Sequence, residues 1–271
     1  MIILVDTFGN HSNILLQSIH LECYCRQERK KLLILGNLKD FDGLYEGNPF
    51  LNRYFRLFAS YTVRTLLKYK VFQVIRFDDV TESIDSIRCR IGNRKICFIS
   101  GWGIRMNELT GLDDNMAYFA NKYKLKKKYY ENNILYNTIN STKNKNIKVV
   151  GLHVRRGDYK EYEGGRYYYS NEIYNDLMFK MQVLIQDKFQ STPLFIVYCN
   201  DNTFVPNSQF NFIVSENSWY IDQHLMSCCD YLIGPPSTFS GWASYIGKVQ
   251  MYHIVEPERD FSLDKFGIMR D

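Results

Sequence analysis

The apolar run Ile147-Lys148-Val149-Val150 leads straight into Gly151-Leu152-His153-Val154-Arg155-Arg156-Gly157-Asp158-Tyr159. It reads as the carboxyl end of a strand that breaks into a tight, charged turn. In an open α/β sheet that is where ligands bind. Two adjacent arginines, a histidine and an aspartate in so short a stretch form an anion-directed site. An arginine fork matches phosphate oxygens in two-point contact.

The same grammar opens the chain. Ile2–Val5 is a short buried strand, followed by the polar turn Asp6-Thr7-Phe8-Gly9-Asn10-His11 and a helical stretch from Ile14 to Leu21. Lys31–Leu35 is a second apolar run, Tyr54–Val74 an amphipathic helix, and Lys95–Ile99 a strand closed by Gly101-Trp102-Gly103. Strands alternating with helices indicate an α/β domain. From Lys122 to Asn146 the composition turns to Lys, Asn and Tyr and the apolar period fades, which places a domain boundary near residue 146. The second half repeats the pattern: a helix over Tyr174–Phe189, strands at Leu194–Tyr198, Phe212–Val214, Tyr231–Ile233 and Val249–Val255, and helices at Asp222–Cys229 and from Trp242. The expectation is two Rossmann-like domains facing a cleft.

Composition narrows the classes. The chain has 271 residues, 45% of them apolar, enough for a sizeable core. No apolar stretch approaches the ~20 residues that span a bilayer. Met1–Val5 meets Asp6 at once and is read as a strand, not a signal peptide. A net charge of +5 suits a small polyanionic ligand or an acidic membrane surface and is too weak to argue for nucleic acid by itself. The seven cysteines lack zinc-ligand spacing and are read as reduced thiols of a cytoplasmic protein. Aromatic residues reach 15%, which suits a sugar or nucleotide site but also follows from lineage bias. Lys124, Lys126, Lys127 and Lys128 form either a solvated basic face or a peripheral contact with the inner membrane face.

Two further groups bear on the anion site. Ser237-Thr238-Phe239-Ser240 lies after a strand and before a helix, where amides and hydroxyls cradle phosphate or a hydroxyl simply caps the helix. Asp222 either accepts from the N1–H and N2–H edge of guanine or caps a helix. His153 either touches a nucleotide or is a core histidine. Among Asp158, Glu161 and Glu163, one carboxylate could take a proton from an attacking sugar hydroxyl, or all three balance the arginines in water.

The residues His153-Val154-Arg155-Arg156-Gly157-Asp158-Tyr159 resemble the H-x-R-R-x-D-Y signature of the α1,2-fucosyltransferases, glycosyltransferase family 11. They also resemble the related turn of α1,6- and protein O-fucosyltransferases. Asp222-Gln223-His224-Leu225-Met226-Ser227-Cys228-Cys229 and Ser237-Thr238-Phe239-Ser240-Gly241-Trp242 are similar to two further blocks of that family, in the same order over about residues 147–247. Phe195–Asp201 resembles the intervening F-S-D-D stretch. The N-terminal half departs: of the family's G-G-L-G-N-Q only Gly9 and Asn10 survive, and the double tryptophan is reduced to Gly241-Trp242.

The resemblance implies a GT-B fold, GDP-fucose as donor, inversion at the anomeric carbon, no cofactor and no essential metal. Residues 1–146 become the acceptor-side domain and 147–271 the donor domain. By position, Arg155 would hold the β-phosphate, Arg156 would brace the turn or the phosphates, His153 would flank the nucleotide and Asp222 would read guanine. Ser237, Thr238, Phe239 and Ser240 would hold diphosphate and ribose, with Gly9 and Asn10 contributing from the N-terminal half. Glu163, five residues past Asp158, stands where α1,6-fucosyltransferases carry a glutamate base, so Arg155, Glu163 and Asp158 are the catalytic candidates. The acceptor would be a glycan, with terminal galactose as in the family. Another nucleotide sugar is the alternative donor. A metal-dependent GT-A enzyme is the rival, through Asp40-Phe41-Asp42 with Asp78-Asp79. A non-catalytic polyanion binder would leave the paired motifs unexplained.

Overall fold

A computed structural model describes residues 1–36, 38–50, 52–78, 83–104, 111–142, 145–201, 203–257 and 261–269. Asn37, Asp79 and Asn202 lie outside them. The chain forms two compact units, Met1–Lys126 and Lys127–Met269.

The first unit contains β1 (Ile2–Leu4), α1 (His11–Gln27), β2 (Leu32–Ile34), α2 (Arg53–Lys68), β3 (Val74–Arg76), α3 (Ile84–Ile91), β4 (Cys97–Ser100), α4 (Gly111–Asp114) and α5 (Met116–Lys122). Its strands make one parallel sheet in the order β2-β1-β4-β3. Strand side chains alternate between faces. Ile3, Val5, Leu35 and Phe98 therefore share a face, and Ala59, Val63 and Leu67 of α2 pack against it. Ile2, Leu4 and Ile99 point the other way and are also buried. Asn52 starts α2 by accepting a hydrogen bond from the Tyr54 amide at 3.0 Å. The apolar run Tyr54–Val74 is not one helix. α2 stops at Lys68, Lys70 turns left-handed with φ 56°, and the chain re-enters the sheet as β3.

The second unit contains α6 (Ile134–Thr142), β5 (Val149–Val154), α7 (Asn171–Phe189), β6 (Leu194–Cys199), β7 (Phe212–Val214), α8 (Trp219–Met226), β8 (Tyr231–Gly234), α9 (Thr238–Gly247) and β9 (Gln250–His253). All five strands are parallel, in the order β7-β6-β5-β8-β9. β5 is the central strand and every one of its residues is buried. Val150, Leu152 and Val154 face Tyr174, Leu177, Met178 and Met181 of α7. Val149, with Ile196 and Leu232 of the neighbouring strands, faces Leu225 of α8 and Ala243 of α9. Both units are parallel α/β sheets of the Rossmann-like kind that the sequence predicts.

The boundary falls at Lys126/Lys127 instead of near residue 146. The Lys- and Asn-rich stretch conceals α6, whose Leu135 and Ile139, one turn apart, enter the same core cluster as Val149 and Leu225. Two apolar residues suffice to tie it to the second unit, too few to show as a period. The basic segment is held as well. Leu125 is 3% exposed and bridges Tyr45, while Lys127 pairs with Glu131 at 3.7 Å. No disulfide joins the cysteines among the described residues.

Candidate active site

In the second unit the strand order reverses at β5: β6 and β7 lie to one side, β8 and β9 to the other. The crevice beyond the carboxyl ends of strands at such a reversal is the binding place of open parallel sheets. The two motif blocks sit there, at the ends of β5 and β8. Gly234 lets these strands approach. A Cβ on it would stand 2.9 Å from the Cβ of His153 and 3.1 Å from its carbonyl oxygen.

The period of two decides what each residue of the turn does. Arg155 follows His153 and Gly151 on one face; Arg156 follows Val154 on the other. Arg156 is thereby drawn under the turn toward α7 and is 4% exposed. Its Nη1 donates to the Tyr169 carbonyl at 2.6 Å and its Nη2 to Asn171 Oδ1. Its backbone N–H donates to Asn200 Oδ1 at 2.8 Å, and its guanidinium lies 4.9 Å from the centre of the Tyr168 ring. Of its two expected roles, bracing the turn or holding phosphate, this geometry serves the first. Asn200, Tyr169 and Asn171 are partners that sequence reasoning missed; their position beside strand and helix ends was the available signal.

Arg155 remains half-open, its side chain 21% exposed. One terminal nitrogen lies 3.0 Å from each oxygen of Asp158, and the guanidinium stands 5.3 Å from the centre of the Tyr159 ring. Its Nε is buried with no hydrogen-bond partner among the described residues. Asp158, 57% exposed, is thus the counter-ion that aims Arg155. Tyr159 ties the blocks together: its hydroxyl donates to the Pro236 carbonyl, 77 residues away, at 2.5 Å.

At the end of β8, Ser237 caps α9 by accepting from the Phe239 amide at 3.3 Å. Thr238 and Phe239 are half-buried in the first turn, where amides and the helix dipole attract anions. Ser240 points inward, with no exposed surface, and meets His153 Nδ1 at 3.0 Å. The His153 ring lies 5.5 Å from that of Phe239. His153 is 3% exposed, and its pKa is lowered to about 3 by burial, then by the positive charge of Arg155 and by His253. It is a neutral core histidine. The resemblance has His153 flank the nucleotide and Ser240 hold diphosphate and ribose; here Ser240, on the inner side of α9, covers the His153 ring, and both side chains are buried.

Asp222 is not a helix cap. α8 starts one turn earlier with Ser218 at its N-cap position. The Asp222 carboxylate accepts from Ser215 at the end of β7 and from Asn217. Burial raises its pKa to about 6, against the lowering effect of those two hydrogen bonds. A carboxylate has about four acceptor sites, so two partners leave room for a ligand.

Glu163 is exposed and left-handed at φ 48°, ψ 40°, and is followed by left-handed Gly164 and Gly165. A left-handed non-glycine residue costs about 1–2 kcal/mol. Gly9 and Asn10 belong to the first unit, at the equivalent reversal between β1 and β4. Gly9 has φ 76°, and a Cβ there would stand 2.7 Å from Trp102 and 2.6 Å from Asn13.

The D-x-D carboxylates already have side-chain partners. Asp42 accepts from buried Arg56 at 2.9 Å and lies 3.9 Å from Arg53, while Asp40 meets His11 at 3.3 Å.

A family model described as Glycosyl transferase family 11 matches residues 110–262, more than half of the chain. The chain belongs to glycosyl transferase family 11. It is a glycosyltransferase, as the resemblance implies, and the match takes in both motif blocks while leaving out Gly9 and Asn10. No curated protein matches the chain. Among solved structures, a FUT1 mutant of Arabidopsis thaliana in complex with GDP has a TM-score of 0.54 at 13% identity, over 98% of this chain and 73% of that one. A fucosyltransferase NodZ from Bradyrhizobium has a TM-score of 0.55 at 11% identity, over 93% and 95%. A NodZ α-1,6-fucosyltransferase soaked with GDP-fucose has 0.53 at 11% identity, over 95% and 97%. These likenesses establish the GT-B fold for the family 11 chain, and the GT-A rival does not survive it.

Proposed function

We propose that this family 11 enzyme transfers L-fucose from GDP-fucose to a glycan hydroxyl, with inversion and without a metal. The carrying observation is a half-open Arg155, aimed by Asp158, on a turn at the sheet reversal that Tyr159 ties to the Pro236 carbonyl just ahead of α9. As the sugar–phosphate bond breaks, negative charge gathers on the β-phosphate. Arg155, the Thr238 amide and the positive end of the α9 dipole stabilise that charge where it forms, with little reorganisation. The fixed positive charge fills the place that a divalent cation takes in other transferases. Asp222 accepts from the guanine edge through its remaining lone pairs. Glu163 takes the proton from the attacking hydroxyl.

On this reading Lys127–Met269 is the donor unit and Met1–Lys126 the acceptor side. The acceptor is a glycan ending in galactose, joined through an α1,2 linkage, and the enzyme works in the cytoplasm. The neighbours bound to GDP or soaked with GDP-fucose support the donor. The test is a panel of GDP-sugars and UDP-sugars, offered with and without chelator, with transfer read by mass spectrometry. Transfer from GDP-fucose alone, undiminished by chelator, is expected. Transfer from a different nucleotide sugar, or loss of activity on chelation, overturns the proposal.

A further inference from the structure

α2 carries apolar side chains on both faces. Inward, Ala59, Val63 and Leu67 meet the sheet, and Arg56 closes on Asp42. Outward, Tyr54, Phe58 and Tyr61 share one stripe by helical spacing and are 81%, 70% and 73% exposed. Phe55 and Leu57 flank that stripe, each 57% exposed, and Tyr69 continues it past the helix end at 72%. A surface helix normally turns this face to the core. A contiguous apolar patch in water marks a contact surface.

Charge selects the partner. Residues 47–77 contain Arg53, Arg56, Arg64, Lys68, Lys70 and Arg76 and not one acid. Asp42 faces Arg53 and Arg56, Asp6 faces Arg64 at 3.4 Å, and Asp78 faces Arg76 at 3.1 Å. Lys68 and Lys70 have no acidic partner among the described residues. Lys68 stands on the same stripe as Tyr54 and Tyr61, with Arg64 beside it, at about 100° per residue. Phenylalanine and leucine on an exposed helix, edged by tyrosine and lysine, match a bilayer interface. The rings enter the headgroup boundary and the long basic side chains reach anionic headgroups. A second copy fits less well, because a two-fold contact sets this basic edge against itself. Nucleic acid fits less well, because Arg53, Arg64 and Arg76 already face carboxylates.

We propose that α2 and the segment through Phe72 form a docking face for an anionic phospholipid surface. The basic run at Lys124–Lys128 is not needed for it. The test is co-sedimentation of the full chain with vesicles of phosphatidylcholine alone and of phosphatidylcholine mixed equally with phosphatidylglycerol. Binding to the mixed vesicles is expected, weaker in high salt. Phe58→Ser with Tyr61→Ser, and separately Lys68→Glu with Lys70→Glu, each weaken partitioning roughly tenfold or more. Both variants keep their thermal midpoint and their turnover on a soluble acceptor. Lys124→Glu with Lys127→Glu leaves partitioning unchanged. Four results overturn the proposal: no partitioning of the parent at low salt, equal partitioning of the α2 variants, concentration-dependent dimers through α2 without vesicle binding, or RNA binding without vesicle binding.

Discussion

Replacing Arg156 by alanine separates the two arginines, which differ by one position in sequence and by the side of the sheet in space. The substitution removes two hydrogen bonds from a charged donor, to the Tyr169 carbonyl and to Asn171, each worth about 1.5–3 kcal/mol. It also removes the stacking on Tyr168, about 0.5–2 kcal/mol. Relief of burying a charge offsets part of this, and a net loss of about 3–4 kcal/mol remains. At about 2–4 °C per kcal/mol for a domain of this size, the melting transition of Lys127–Met269 should fall by roughly 10 °C. Arg155→Ala removes a half-open side chain whose partner Asp158 is 57% exposed. Its stability change should stay within about 1 kcal/mol, while turnover falls about 10²–10³-fold. Calorimetry and initial rates on both variants read the two quantities. An Arg156→Ala protein that melts normally but has lost transfer, or an Arg155→Ala protein that melts early, refutes the division of labour.

Three other outcomes follow from the same geometry. Asp222→Asn should weaken GDP binding about tenfold or more by calorimetric titration, and should abolish a rise in affinity as pH climbs through about 6, where the parent carboxyl ionises; equal affinity in both proteins removes Asp222 from guanine recognition. Glu163→Gln should lower kcat about 10²–10⁴-fold with donor KM unchanged, and Glu163→Gly should raise stability by about 1 kcal/mol through relief of its left-handed backbone; normal turnover in both would move the base elsewhere. His153 is held neutral with its folded pKa lowered from 6.5 to about 3, so its stabilising contribution is whole above pH 6.5 and is lost as pH falls toward 3; denaturant midpoints should drop over that window in the parent and less in His153→Gln.

The sequence was most legible where structure is local. β5 and the capped start of α9 stand where the apolar run and the serine block place them, because a buried strand and a helix cap each declare themselves within a few residues. The role of Arg156 was less legible. The period of two separates it from Arg155, but its partners Tyr169 and Asn171 arrive only when the turn folds back on α7. Asp222 misled for a similar reason: its role depends on Ser215 at the end of β7, and α8 begins a turn before it. The domain boundary was hidden because Leu135 and Ile139 are only two residues within a basic stretch. For α2 the helical period names the residues that share a face. It does not say which of two apolar faces the sheet will take.

The hydroxyl of Tyr159 and the carbonyl of Pro236 form a clasp between loops far apart along the chain. Neither loop is therefore a portable module. Transplanting the arginine turn to another scaffold would carry over half a fastening, with Arg155 left to wander. Swapping the serine loop for that of a different transferase would release the turn just as surely. Anyone recoding the donor preference of this enzyme has to exchange both loops together, or preserve the tyrosine and the geometry that presents the carbonyl to it.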